Sequence, residues 1–358
     1  MKRRLGGRGV WLTLTLVVGC TPTDGDTVTI GPIDTLASPA AQGSGEPNLA
    51  RGPDGRVYLS WLEPSGDSAH ALRFATLQDD AWSAPRTIAQ RPDFFVNWAD
   101  FPSLVPLSER MLAAHWLQRS GSARYAYEVR IAQSADGGET WSEPLVPHRD
   151  GTATEHGFVS LFPIRDSLGA IWLDGRNFAR AAKGESANMM LLMTTVGLAG
   201  GSGAERIVDE RVCDCCQTSL AIASSGPLVV YRDRLEGEIR DISIARWSDS
   251  GWSRGMVVHA DDWKIDACPV NGPAIAAAGD RVAVTWFTNA RDSARVYLAM
   301  STDAGVTFAP PTRNSVHFSS VRLMAENKVR SPRTHVTSFS SSMPRLDGKA
   351  RIMHNCAW

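Results

Sequence analysis

The chain predicts an all-β fold, a six-bladed β-propeller of four-stranded antiparallel blades, and three observations carry that prediction. An aromatic residue closes a short β-rich run five times, at Trp61, Trp116, Trp172, Tyr231 and Trp286, at intervals of 55, 56, 59 and 55 residues. The same order of strands and turns recurs inside each interval. The long runs of 3.6-residue periodicity that helical repeats require are not found. A unit of this size with several short strands and polar turns is the signature of blades stacked radially around a channel.

Each unit opens on an inner segment with Pro or Ser: Glu46-Pro-Asn-Leu, Phe101-Pro-Ser-Leu, Val159-Ser-Leu-Phe, Thr218-Ser-Leu-Ala and Gly272-Pro-Ala-Ile. A turn such as Asp54-Gly55 or Ala278-Gly279 follows, and then the aromatic-ended strand. A third strand comes next, as in Ala71-Leu-Arg-Phe-Ala, Glu128-Val-Arg-Ile-Ala and Arg295-Val-Tyr-Leu-Ala. A second turn then leads to the fourth strand. Five units run from residue 46 to 313, and a sixth would occupy 314–358. That last stretch lacks the aromatic-ended strand and carries seven Lys/Arg against two Asp/Glu. It reads either as a divergent closing blade or as an altered terminus.

In two units the second turn has a fixed form. Ser134-Ala-Asp136-Gly-Gly138-Glu-Thr-Trp141 is matched by Ser301-Thr-Asp303-Ala-Gly305-Val-Thr-Phe308. Ser and Asp oxygens can satisfy the N–H groups of a tight turn, Gly permits a positive φ, and the aromatic fills the gap between strands. The octad resembles the Asp-box, or BNR repeat, of sialidase-like β-propellers. The resemblance implies that these eight positions are structural and that ligands bind the opposite face, where the loops between second and third strands and between blades gather.

Arginines converging there would grip a carboxylate, as sialidases hold sialic acid. The resemblance therefore points to Arg119, Arg176 and Arg232 or Arg234, beside Asp174, as ligand-binding residues. It implies Tyr231 with Glu238 as nucleophile and Asp233 as acid of an exo-α-sialidase or related glycoside hydrolase. The alternatives are that Tyr231, which aligns with the strand-ending tryptophans, packs between blades, and that the arginines form inter-blade ion pairs.

A second feature lies outside that resemblance. Cys213-Asp-Cys215-Cys216 opens the fourth unit and Cys268 opens the fifth, at equivalent repeat positions. The corresponding loops of earlier units carry Trp98, Asp100, Glu155 and His156. Two readings stand: a disulfide joining Cys268 to one of the other three, or a noncatalytic copper or zinc site of Cys215, Cys216, Cys268 and His156. No other cofactor is implied. His148 is read as a packing residue.

The N-terminus reads as a targeting segment. Lys2-Arg-Arg4 precedes the apolar run Val10–Val18, which is short for a membrane span. Val17-Val18-Gly19-Cys20 resembles a bacterial lipobox, in which Cys20 is lipidated, and residues 21–45 would form a tether with a possible ring-closing strand. Thr rather than Asp after Cys20 implies, by analogy, the outer membrane, facing periplasm or exterior. Membrane contact would then be through the lipid alone. A formal net charge of −1 over 358 residues favours no nucleic-acid partner. A small anionic or glycan ligand is the expected partner, and no feature specifies an oligomeric state.

Overall fold

A computed structural model describes residues 35–66, 68–182 and 186–314. Five antiparallel sheets follow one another in chain order among these residues. The first contains β1 (Gly45–Arg51), β2 (Val57–Ser65), β3 (Ala69–Gln78), the two-residue β4 (Ala81–Trp82) and β5 (Arg86–Arg91). The second contains β6 (Ser103–Pro106), β7 (Leu112–Arg119) and β8 (Tyr127–Ser134). The third contains β9 (His156–Ile164), β10 (Ser167–Asp174), β11 (Met189–Gly197) and β12 (Arg206–Val212). The fourth contains β13 (Ser219–Ala223), β14 (Gly226–Arg232), β15 (Ile242–Ser248), the short β16 (Gly251–Trp252) and β17 (Met256–His259). The fifth contains β18 (Ala274–Ala278), β19 (Arg281–Thr288), β20 (Arg295–Ser301) and β21 (Thr312–Asn314).

Alternation along the strands explains why these sheets stack. Successive side chains of a strand point to opposite faces, and here both faces are covered. In β10, Leu168, Ala170 and Trp172 join a core with Leu117, Val129 and Ile131 of the second sheet. Its Ile171 and Leu173 join a core with Val229 and Tyr231 of the fourth. Equivalent cores lie between the first and second sheets and between the fourth and fifth. The innermost strands meet in turn, β1 with β6, β9 with β13 and β13 with β18. This is the packing of consecutive propeller blades. Trp61, Trp116, Trp172 and Trp286 are each at most 2% exposed, and Tyr231 occupies the equivalent place in β14 at 1%.

Three expectations are adjusted. The second blade lacks a full fourth strand and keeps a single bridge between Ile131 and Leu145, because Pro144 and Pro147 deprive that segment of ladder donors. Asn314, assigned by sequence to a sixth unit, pairs with Val296 in the fifth blade. Residues 35–44 carry no strand in the structure. Cys20, the lipobox and residues 315–358 of the expected sixth blade lie outside the described residues.

Both Asp-boxes fold identically. Ser134 Oγ accepts from Gly138 N–H (2.8 Å) and donates to Asp136 Oδ1 (2.7 Å), while Asp136 accepts from Thr140 N–H (3.0 Å). The second copy repeats this with Ser301, Gly305, Asp303 and Thr307 at 2.9, 2.6 and 2.9 Å. These hydrogen bonds hold both Asp carboxyls well below the usual range. Gly138 has φ +89°, and a Cβ there would stand 2.5 Å from Phe74 Cζ of the first blade. Trp141 packs edge-on against that same Phe74 ring at 6.2 Å. The turn thus locks one blade to the previous one.

Candidate functional site

Short loops at the blade ends gather the polar residues into four groups. The first surrounds Arg176, in the helical turn α1 (Arg176–Arg180) that follows β10. Asp174, fully buried, accepts from Trp172 Nε1 (2.7 Å) and from Arg176 Nε and Nη2 (both 2.7 Å). Arg176 Nη1 donates to Glu205 at 2.6 Å. Beside them, His148 Nδ1 and His156 Nε2 lie 3.1 and 3.2 Å from Asp150 Oδ1, with the two imidazoles stacked at 3.8 Å. His156 Nδ1 faces the Thr154 carbonyl at 3.1 Å, an acceptor, so that nitrogen carries a proton. Burial alone would lower the pKa of His156, but Asp150 and Asp174 outweigh it and raise it. Burial lowers that of His148. The His148, Asp150, His156 donor set could hold a cation, yet Arg176, 3.6 Å from Asp150, already supplies positive charge there.

Beside Arg176 opens a cavity of about 350 Å³, lined by Arg176, Asn177, Arg180, Met190, Leu192, Glu205 and Ile207. Arg180 is exposed and forms no ion pair among the described residues. Ile207 is 54% exposed.

The second group corrects the predicted catalytic set. Tyr231 does not meet Glu238: its hydroxyl donates to Asp209 at 2.6 Å and its ring lies in the core between the third and fourth blades. Glu238 is instead an ion-pair hub for Arg234 (2.9 Å), Arg240 (2.7 Å) and Arg211 (2.9 Å). Asp233 accepts from Ser243 Oγ and Arg234 N–H, both at 2.7 Å, and burial pushes its pKa up to about 6. Nor do the arginines converge. Arg232, 1% exposed, donates to the carbonyls of Asn271 (2.8 Å), Arg240 and Phe287 (2.7 Å) and lies 4.9 Å over the Trp263 ring. Arg119 stands exposed over Phe95 at 5.3 Å. Arg176 has its bidentate fork on Asp174, so it cannot offer that fork to a ligand.

A tyrosine flanked by two carboxyls does occur, at a place sequence reasoning overlooked. Tyr127, fully buried, has its hydroxyl 2.9 Å from Asp100 and 2.7 Å from Glu155. Burial raises Asp100 to about 7 and Glu155 to about 8. The sequence marks the two blade-opening loops that carry Asp100 and Glu155; Tyr127 ends no recognisable motif, and only its place beside those loops in the repeat could have marked it.

The last group is the cysteine loop. Cys213, Cys215 and Cys216 are free, with their sulfurs all within 4.8 Å of one another and Cys213 and Cys215 3.9 Å apart. The expected disulfide from one of them to Cys268 is therefore not formed. Cys268, also buried, is not a member of the sulfur group. His156 is not a member either, because its ring is committed to Thr154 and Asp150. Burial would raise the Cys213 thiol, but hydrogen bonds from Cys215 and Cys216 and the charge of Arg240 outweigh it and hold it well below its ordinary value. Thiol hydrogen bonds and burial push Cys215 up, and burial does the same for Cys216.

No known family model matches the chain, and no curated protein does. Among solved structures, a protein of unknown function from Dyadobacter fermentans superposes with a TM-score of 0.51 at 15% identity, covering 75% of this chain and 82% of the other. An α-L-arabinanase from Penicillium chrysogenum, complexed with arabinobiose, gives 0.49 at 12% identity, covering 75% and 80%. A Hadza microbial sialidase gives 0.43 at 14% identity, covering 75% and 58%. The first likeness concerns fold alone. The other two, both β-propeller glycoside hydrolases, fall below a TM-score of 0.5 and carry no argument about function.

Proposed function

We propose that this propeller binds a small glycan carrying an anionic group, without hydrolysing it, in the cavity beside α1. The observation that supports this reading is the cavity itself, about 350 Å³, lined by Arg180, which is exposed and forms no ion pair among the described residues. Its size suits a small ligand. Arg176 is taken by Asp174 on its fork and by Glu205 at 2.6 Å, which leaves Arg180 as the cation for a carboxylate or sulfate. Asn177 and Glu205 can hydrogen-bond hydroxyls, and Met190, Leu192 and Ile207 offer an apolar wall to the C–H face of a sugar ring. Hydrolysis is not part of the proposal because Tyr231 is turned into the core, away from Glu238.

The test is calorimetric titration of the purified chain with sialyllactose and with lactose, alongside the exposed-site variant Arg180→Ala. Saturable binding of sialyllactose, weakened about tenfold in the variant as expected for one charge-assisted contact, is the expected result. Turnover of a fluorogenic sialoside is expected to be absent. A lack of saturable binding to sialyllactose, lactose bound as tightly as sialyllactose, or an Arg180→Ala protein that binds undiminished, would overturn the reading.

A further inference from the structure

We infer that Cys213, Cys215 and Cys216 form a three-coordinate site for a monovalent thiophilic cation, with copper(I) the occupant their geometry fits. The site is separate from the glycan cavity and does not depend on it. Cys213 and Cys216 stand three residues apart, so the run contains a Cys-x-x-Cys spacing with Cys215 inside it. The loop turns tightly after β12, held by Cys213 N–H donating to the Arg232 carbonyl at 3.0 Å. That anchor brings all three sulfurs within 4.8 Å of one another.

The Cys213–Cys215 separation matches the edge of a metal-centred trigonal plane. With a metal–sulfur bond of about 2.3 Å, sulfurs at the corners of a trigonal plane lie about 4.0 Å apart. The Cys213–Cys215 separation is 3.9 Å without an ion. Two further observations separate this site from an incidental cluster. Cys213 and Cys216 are each 1% exposed, so two thiols are buried with little but each other as partners. Arg232 and Arg240 lie close enough to act electrostatically on these sulfurs, which offsets the net negative charge of a copper(I) tris-thiolate.

Coordination number decides between cations. Zinc in a structural site takes four ligands in a tetrahedron, and among the described residues no imidazole or carboxylate joins the sulfur group within ligand distance. Soft thiolates without a fourth donor select copper(I).

The test uses the full chain, reduced and kept anaerobic, titrated against the copper(I)–bicinchoninate complex, with Cys215→Ser as the variant. Cys215 is only partly buried, so its replacement spares the core, and the thermal midpoint of the variant checks that it folds. The expected result is withdrawal of one equivalent of copper(I) per chain, with a thiolate-to-copper charge-transfer band, and at least a tenfold loss of affinity in Cys215→Ser. No withdrawal by the reduced protein overturns the inference, as does undiminished uptake by the variant. Zinc(II) bound in preference to copper(I) under the same competition overturns the assignment of the cation.

Discussion

Arg232 shows how a residue typed for ligand binding becomes a bolt. Its guanidinium reaches the Asn271, Arg240 and Phe287 carbonyls, which belong to the fourth blade, the fifth blade and the loop between them. A planar fork with five donors can satisfy three diverging acceptors; an ammonium on a flexible stem cannot do so from one position. Arg232→Lys would keep the charge and strand at least one buried carbonyl. We predict a loss on the order of 3 kcal/mol, read as a lower urea midpoint at unchanged slope, with sugar binding at Arg180 retained in the folded fraction. A variant of wild-type stability would return Arg232 to the list of ligand groups. Sequence alone does not separate these roles, because an arginine at the end of a propeller strand has the same pattern whether its partner is a ligand or the backbone of the next blade. The same holds for Tyr231, whose partner Asp209 lies 22 residues away on another blade.

The elements were far more legible than the residues' roles. Strand-ending aromatics at intervals of 55 to 59 residues report a local pattern that each blade must repeat, because a sheet between two neighbours buries both faces. The Asp-box is legible for the same reason: its Ser, Asp and Gly form their hydrogen bonds within eight residues. Non-local features escaped. The weakened fourth strand of the second blade shows only once Pro144 and Pro147 are set against the ladder they fail to join. Since the two turns are congruent, they should respond alike to the same change. Ser134 and Ser301 are each 2% exposed and take the N–H of a glycine four residues on. Ser134→Ala and Ser301→Ala should each cost about 1–2 kcal/mol by leaving that donor unpaired. The double variant should cost the sum, because the turns lie on different blades. Chemical denaturation of the three proteins measures this, and a cost confined to one turn would show that the motif stabilises through its neighbours.

At the scale of the whole molecule, one buried cluster joins three consecutive blades. Asp100 precedes the second blade, Tyr127 belongs to it, Glu155 precedes the third, and Asp100 Oδ1 accepts from Phe158 N–H of the third at 2.7 Å. Asp214, at the entrance to the fourth, adds its charge to the field at Glu155. Tyr127 has one hydroxyl proton and two carboxyl neighbours, so both contacts are hydrogen bonds only if one carboxyl is itself protonated. Asp100 already has a backbone donor, which makes Glu155 the carboxyl that keeps its proton. Burial agrees, raising Glu155 from 4.5 to about 8 and Asp100 from 3.8 to about 7. The sign of the linkage follows: an acid with a raised folded pKa contributes stability that is full below its unfolded value and is lost as pH rises through its folded value. The chain should therefore lose stability between about pH 5 and 8 as this cluster ionises. Gln at position 155 mimics the protonated acid, donating to Tyr127 while remaining neutral. At pH 8.5 Glu155→Gln should raise the thermal midpoint by about 3 °C, corresponding to roughly 2 kcal/mol. At about pH 3.5 the two proteins should melt together, because wild-type Glu155 is then protonated in the folded and the unfolded chain alike. Thermal unfolding of both proteins at the two pH values decides it, and a variant less stable at pH 8.5 would mean that ionised Glu155 is held by a partner that outweighs its burial.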